Sequence, residues 1–171
     1  PAFEQLLVNM WETMYEANGV GLAAPQVGIA IRLFIVDASP FADDDELTEE
    51  EQKQLTGFKK VFINPQIEES GEEWAFNEGC LSIPDVREDV YRQEEIQIRY
   101  WDENFKEHTE QYTGLVARVI QHEFDHIEGV LITDKLSPLK KRLIKGKLNN
   151  IAKGNIDVDY KMRFPLASKK R

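Results

Sequence analysis

Residues 121–126 read Gln-His-Glu-Phe-Asp-His, and no other stretch limits the chain's fold as strongly. His122 and His126 stand four residues apart. On an α-helix that spacing puts two side chains on one face, one turn apart, so two imidazoles can address one metal ion. Glu123 follows the first histidine, within reach of a proton on a water held at such an ion. The flanks support a helix over about 114–128. Leu115, Val119, His122 and His126 fall on one stripe, and Gly129 provides a stop. The same spacing also arises by accident on amphipathic helices whose histidines are merely packed. Here two of the chain's three histidines form the pair, which favours the metal reading.

A catalytic ion needs a third protein ligand and one open position. Cys80, the one cysteine, lies in Glu78-Gly79-Cys80-Leu81-Ser82 and is the soft candidate. A thiolate with two imidazoles suits zinc or another first-row divalent metal. A lone cysteine is otherwise a small buried hydrophobe. Glu128 is an alternative carboxylate ligand for a protease-like site. Cys80 as a thiol nucleophile, with His122 or His126 as base, leaves Glu123 unexplained. A closed structural zinc site wants four protein ligands, and three stand out.

The remaining chain predicts an α+β fold, with antiparallel β-sheets around the central metal-binding helix. Phe3, Leu6, Leu7, Met10, Trp11 and Met14 predict a helix over 3–17, ended by Asn18-Gly19. Gly19 to Gly28 is rich in Gly and Ala, with Gln26 the one polar residue among them. Gln26 is either a surface glutamine or an amide donor aimed into a site. Ile31–Val36 and Val61–Ile63 predict strands, the second stopping at Asn64-Pro65, and 66–76 a hairpin around Glu69-Ser-Gly71. Residues 94–101 and 106–112 predict a second hairpin, with His108 exposed and without chemistry. Between the first two strands, 38–57 form an acidic, exposed insertion with a short helix opened by Thr48 and Glu51.

Ser137-Pro138 opens a further helix, with Leu139, Leu143, Leu148 and Ile151 as its apolar stripe and lysines opposite. Ile156, Val158, Tyr160, Met162 and Phe164 then alternate with polar residues, predicting a half-buried strand at a sheet edge. Residues 137–165 thus read as a basic C-terminal helix and strand. The length of 171 residues predicts a single catalytic domain over 1–171.

The net charge of −10 argues against general or sequence-specific nucleic-acid binding. Yet 12 of the 21 basic residues lie in 135–171, beside only two acids, Asp157 and Asp159. That end is either a solvated surface or a contact for a polyanion such as ribosomal RNA. No apolar run is long enough to cross a membrane. The single cysteine fits a reduced, cytoplasmic compartment.

Three segments together carry a family resemblance. They are Gly19-x-Gly21-Leu22-Ala23-Ala24-x-Gln26, Glu78-Gly79-Cys80-Leu81-Ser82 and Gln121-His122-Glu123-x-Asp125-His126. In this order the chain resembles the peptide deformylase family, from its first helix to about Lys135. The resemblance implies a cytoplasmic, metal-dependent hydrolase of protein biosynthesis. Its substrates would be newly made polypeptides that begin with N-formyl-methionine, and it would release formate. Cys80, His122 and His126 match the metal ligands, with Fe(II) expected in the cell and zinc, nickel or cobalt able to replace it. Glu123 matches the general acid/base, and the Gln26 amide and Leu81 N–H the oxyanion donors. Gly21 matches the residue whose backbone pairs with the substrate peptide. Val20, Glu78, Arg87 and Leu115 match the lining of the methionine pocket. Arg118 stands where some members carry an aliphatic residue, and points either into the pocket mouth or away. The resemblance also implies a short segment ahead of the first helix that this chain, beginning at Pro1, lacks. Ribosome contact through the basic C-terminal region is expected by analogy.

Overall fold

The helical spacing of the first apolar residues forms α1, Ala2–Glu16, in the computed structural model, which describes residues 1–167. Asn18, at φ 54°, takes the left-handed turn at its end, and the Gly19 N–H closes the helix on Met14 O at 2.9 Å. Asparagine tolerates this region better than other side-chain-bearing residues, so the stop falls one residue before the glycine. Five strands follow: β1 (Gly21–Ala23), β2 (Leu33–Asp37), β3 (Lys59–Cys80), β4 (Ile83–Trp101) and β5 (Glu107–Thr113). They form one antiparallel sheet in chain order. With helices α2 (Glu49–Leu55), α3 (Gly114–Glu128) and α4 (Pro138–Lys153) the fold is α+β, as the sequence implies.

The chain divides into two compact units. The first comprises Pro1–Trp74 and Arg92–Val130. In it, α1 buries Leu7, Met10 and Met14 against Leu22, Leu33, Ile35 and Val61. All five residues of β2 are buried, so its two faces are both covered. Leu33 and Ile35 serve the α1 side, whereas Phe34 sits in register with Phe62 and stacks on it at 4.8 Å. Helix α3 packs against β1, β2, β5 and α2, so the site helix does have strands around it. The second unit comprises Ala75–Tyr91 and the chain from Leu131 onward. Its core joins Ile83, Val86 and Val90 of β4 to Ile132 and Ile151, with Cys80, Ile144, Leu148 and Ile156 packed against them.

Several expected boundaries move. Strand β2 begins at Leu33, after a bend at Ile31 and Arg32. β3 does not stop at Asn64-Pro65. Asn64 absorbs the irregularity at φ 48°, and its N–H still pairs with Arg32 O at 2.8 Å. Nor is there a hairpin around Glu69-Ser-Gly71. Gly71 lies within β3 at φ 83°, where a Cβ would stand 2.6 Å from Glu94 Cγ of β4. The glycine there serves a close approach rather than a turn. The turn between β3 and β4 is instead Leu81-Ser82. His108 is partly buried, held by Asp102 at 2.6 Å and stacked on Tyr100, which corrects its reading as exposed.

On α4 the Ser137 cap forms as expected, its hydroxyl accepting from Lys140 N. The buried stripe, however, is Ile144, Leu148 and Ile151, while Leu139 and Leu143 are 65% and 75% exposed. Residues 156–164 form no regular strand. Their burial alternates as the sequence predicts, but their side chains anchor the segment without pairing its backbone into the sheet. Period-two burial signals an extended chain; a ladder needs an open partner edge as well. Of the basic end, Lys169, Lys170 and Arg171 lie outside the described residues.

Within the acidic insertion, α2 has the predicted capping box. The Thr48 N–H and hydroxyl donate to Glu51 Oε2 at 2.8 and 2.7 Å. These bonds, the hydroxyl's first, hold the Glu51 carboxyl below its ordinary value of 4.5. A depressed carboxyl contributes stability above its unfolded pKa and loses it as pH falls through the folded one. Glu51→Gln is therefore expected to cost about 0.5 kcal/mol at neutral pH, an exposed cap being screened, and nothing in acid. Urea unfolding near pH 7 and near pH 3 checks this, and an equal gap at both would contradict it.

Candidate metal centre

Helix α3 is buried on nearly every side, nine of its 15 residues being buried, which is the signature of a central helix. Four of those nine are polar or charged: Arg118, Gln121, Glu123 and His126. Buried groups of this kind need partners. The Arg118 guanidinium donates to Trp74 O at 2.6 Å and lies 4.2 Å from the centre of the Trp74 ring. It is 2% exposed, stacked on β3, and so does not project into open solvent at a pocket mouth. Gln121 Nε2 donates to Gln93 O at 2.9 Å. Asp125 accepts from Arg92 Nη1 at 2.7 Å, with 2% of the arginine side chain and 16% of the aspartate exposed. Removing one partner of so buried a pair costs about 3–5 kcal/mol.

These contacts set the rotation of α3 and with it the two imidazoles. The His122 and His126 rings stand 5.1 Å apart, inclined at 65°. Burial, then the positive charge of His122 and Arg92, pushes the His126 pKa down to about 3. At neutral pH the ring is therefore neutral, the form that ligates a metal. Glu123 is 4% exposed. Gly21 of β1 passes so close that a Cβ there would lie 2.5 Å from Glu123 Oε1. Gln26 follows β1 in a single 3-10 turn, Ala24–Val27. Its Oε1 accepts from Ala23 N–H at 2.9 Å, which orients the amide and makes Nε2 the outward donor. Val20 precedes β1 and is partly buried. Leu115 is buried in the first turn of α3, beside a small cleft lined by Val116, Leu55 and Gln54.

In the second unit, Cys80 closes β3 and Ile83 opens β4, so Leu81 forms a two-residue turn with Ser82. Tyr160 Oη donates to Leu81 O at 2.7 Å. Burial, then the charges of Cys80 and Asp85, raises the Tyr160 phenol above its ordinary value, so it remains a donor. Glu78 is buried at 6% exposure. Arg87 is exposed and grips Asn77, with Nε to Oδ1 at 2.9 Å and Nη2 to the carbonyl at 2.8 Å.

One ligand atom each from Cys80, His122 and His126 lie within 4.8 Å of one another. Donors on a tetrahedral ion, at bonds of about 2.0–2.3 Å, stand about 3.5 Å apart, so a group of this spacing could hold one ion. A sulfur and two imidazoles fit a first-row divalent metal and leave a fourth position open. The sequence picked out all three. It missed Arg92 and Tyr160. Arg92 was legible in principle, since it shares the inward register of β4 with Val90, Ile96, Ile98 and Tyr100. Tyr160 stood in the alternating segment, where nothing local pointed to Leu81.

A helix-borne His-Glu-x-x-His pair beside a sulfur ligand is the apparatus of a metal-dependent hydrolase. The family model for polypeptide deformylase matches residues 1–142. A peptide deformylase of Christiangramia forsetii is 69% identical over 172 residues, covering 100% of this chain and 88% of that protein. One of Salinibacter ruber is 47% identical, covering 98% and 83%. The crystal structure of a peptide deformylase from Legionella pneumophila matches with a TM-score of 0.72 at 37% identity, covering 88% of this chain and 80% of that one. The chain belongs to the polypeptide deformylase family, metal-dependent hydrolases that remove the formyl group from N-formyl-methionine.

Gly21→Ala tests the packing of the carboxylate. The new methyl group has to displace Glu123, so kcat is expected to fall by about tenfold to a hundredfold while the protein stays folded. Circular dichroism and formate release check this; full activity would show that Glu123 does not depend on Gly21.

Proposed function

We propose that Cys80, His122 and His126 hold one divalent ion and that Glu123 is the acid/base for deformylation at it. The observation that carries this is the convergence of one thiol and two imidazoles at a buried carboxylate helix. The borderline softness of this donor set accepts Fe(II), which we infer for the cell, and equally zinc, nickel or cobalt. When bound, such an ion lowers the pKa of a coordinated water toward neutrality. The Glu123 carboxylate takes a proton from the attacking water and returns it to the leaving amine. Gln26 Nε2 and the Leu81 N–H donate to the oxygen that becomes negative as the formyl carbon turns tetrahedral. Formate and a free N-terminal methionine result.

Gly21 offers its backbone to the substrate. β1 is the terminal strand in the sheet order, so an extended chain can add along its outer edge at Gly21, the Ala23 N–H being taken by Gln26. Val20, Glu78, Arg87 and Leu115 shape the methionine pocket. Residues 1–171 form one catalytic domain in this reading, as their number suggests. Nascent chains are reached in the cytoplasm, with Lys140, Lys141, Arg142, Lys145 and Lys147 of α4 meeting ribosomal RNA through charge alone. No described helix is long and apolar enough to cross a membrane.

The test is formate release from an N-formyl-methionyl peptide by protein purified without oxygen and loaded with Fe(II). Wild type is expected to turn over and to stop on chelation. Glu123→Ala is expected to retain one metal per chain and lose about a hundredfold or more in kcat. Turnover unchanged by the chelator, or by the substitution, would overturn the respective role.

A further inference from the structure

The residues around Cys80 and Leu81 are held by a part of the chain beyond the 142 residues that the family model describes. Leu81 lies in a two-residue turn, and its carbonyl belongs to a peptide that the ladder between β3 and β4 does not enclose. A turn carbonyl of this kind takes water or a side-chain donor. Here the donor is Tyr160, at 2.7 Å. The path that brings it there is specific. Gly154, at φ 77°, turns the chain after α4. Ile156 then packs into the same apolar cluster that Cys80 touches. Four residues further along, in the inward phase of the alternating segment, Tyr160 reaches the turn. Lys147 of α4 donates to the carbonyl of Asp85, and Lys140 pairs with Glu88 at 3.2 Å, so the start of β4 is tied from the same side.

We propose that Tyr160 is a positioning residue for deformylation: by holding the Leu81 carbonyl it sets the orientation of the turn that carries the Cys80 thiol and the Leu81 N–H. The inference rests on the roles assigned above to Cys80 and Leu81. One hydroxyl anchors both of them. Without it the turn pivots about its flanking strands, the sulfur leaves the ion more often, and the N–H points less well at the developing oxyanion. The residues assigned to the methionine pocket keep their places, so substrate binding changes little. A merely structural tyrosine would instead stabilise the C-terminal segment and leave the metal and the turnover number alone.

Tyr160→Phe removes the hydroxyl and keeps the ring. Tyr91→Phe, at a tyrosine 63% exposed, is the control. Three readouts are taken on full-length protein: release of Zn(II) into an excess of chelator, the thiolate-to-cobalt absorption of the Co(II)-loaded form, and kcat and KM for an N-formyl-methionyl peptide. Tyr160→Phe is expected to release zinc about threefold to tenfold faster and to lower kcat by a similar factor, the share of one hydrogen bond. KM stays within about twofold, and the cobalt–thiolate band shifts or weakens. Replacing Tyr160 by 4-aminophenylalanine, which keeps an N–H donor at that position, is expected to restore much of the loss. Zinc release, absorption and kcat all like those of wild type and the control would overturn the proposal. So would a drop in thermal stability with those three unchanged. If wild type itself releases no formate, the deformylation reading fails. Zinc release and the cobalt band then decide the role of Tyr160 on their own.

Discussion

A buried helix that carries charged and polar groups has to find partners for them, and much of this fold supplies those partners. α3 places Arg118, Gln121, Glu123 and His126 where water is largely excluded. An unpaired group there would cost on the order of 1–3 kcal/mol, more if charged. Trp74 of β3 takes Arg118, Gln93 of β4 takes Gln121, and Arg92 of β4 takes Asp125. The two long strands are therefore the source of the contacts that fix the rotation of the site helix about its axis. That rotation decides where His122 and His126 point.

The same low-dielectric surroundings suit the chemistry. A buried imidazole held neutral is a ready ligand, and His126 is driven that way by its burial before any metal arrives. The Glu123 carboxylate, packed against the bare backbone of Gly21, has little freedom, which suits the acid/base role proposed for it. Arg118 extends the pattern. A planar guanidinium stacked on an indole ties the site helix to β3 by a rigid, permanently charged group, where an aliphatic residue would have offered only volume.

The residues of the candidate site were more legible in the sequence than the limits of the strands around them. His122, Glu123 and His126 share a local period, and a helix turns such a period directly into a shared face. The capping boxes and N-caps at Thr48 and Ser137 were likewise readable, since both depend on residues within one turn. Strand limits were not. Asn64-Pro65 and Gly71 carry turn residues, yet the ladder with neighbouring strands continues β3 through both, and no local signal reports a distant partner. The period-two pattern after Gly154 correctly indicated an extended, half-buried segment, but whether it joins a sheet depends on a free edge elsewhere. Arg92 and Tyr160 escaped for the same reason. Their partners, Asp125 and Leu81, lie 33 and 79 residues away.

The proposed activity requires one sulfur and two imidazoles to meet at a single ion, and X-ray absorption of the metal-loaded protein measures that directly. With zinc bound, the expected shell is one sulfur at about 2.3 Å and two imidazole nitrogens at about 2.0–2.1 Å, with a light atom completing it. Replacing Cys80 by serine is predicted to remove the sulfur and nothing else. A shell of nitrogen and oxygen alone in the wild-type protein would contradict the assignment of Cys80, and with it the role given to the turn between β3 and β4.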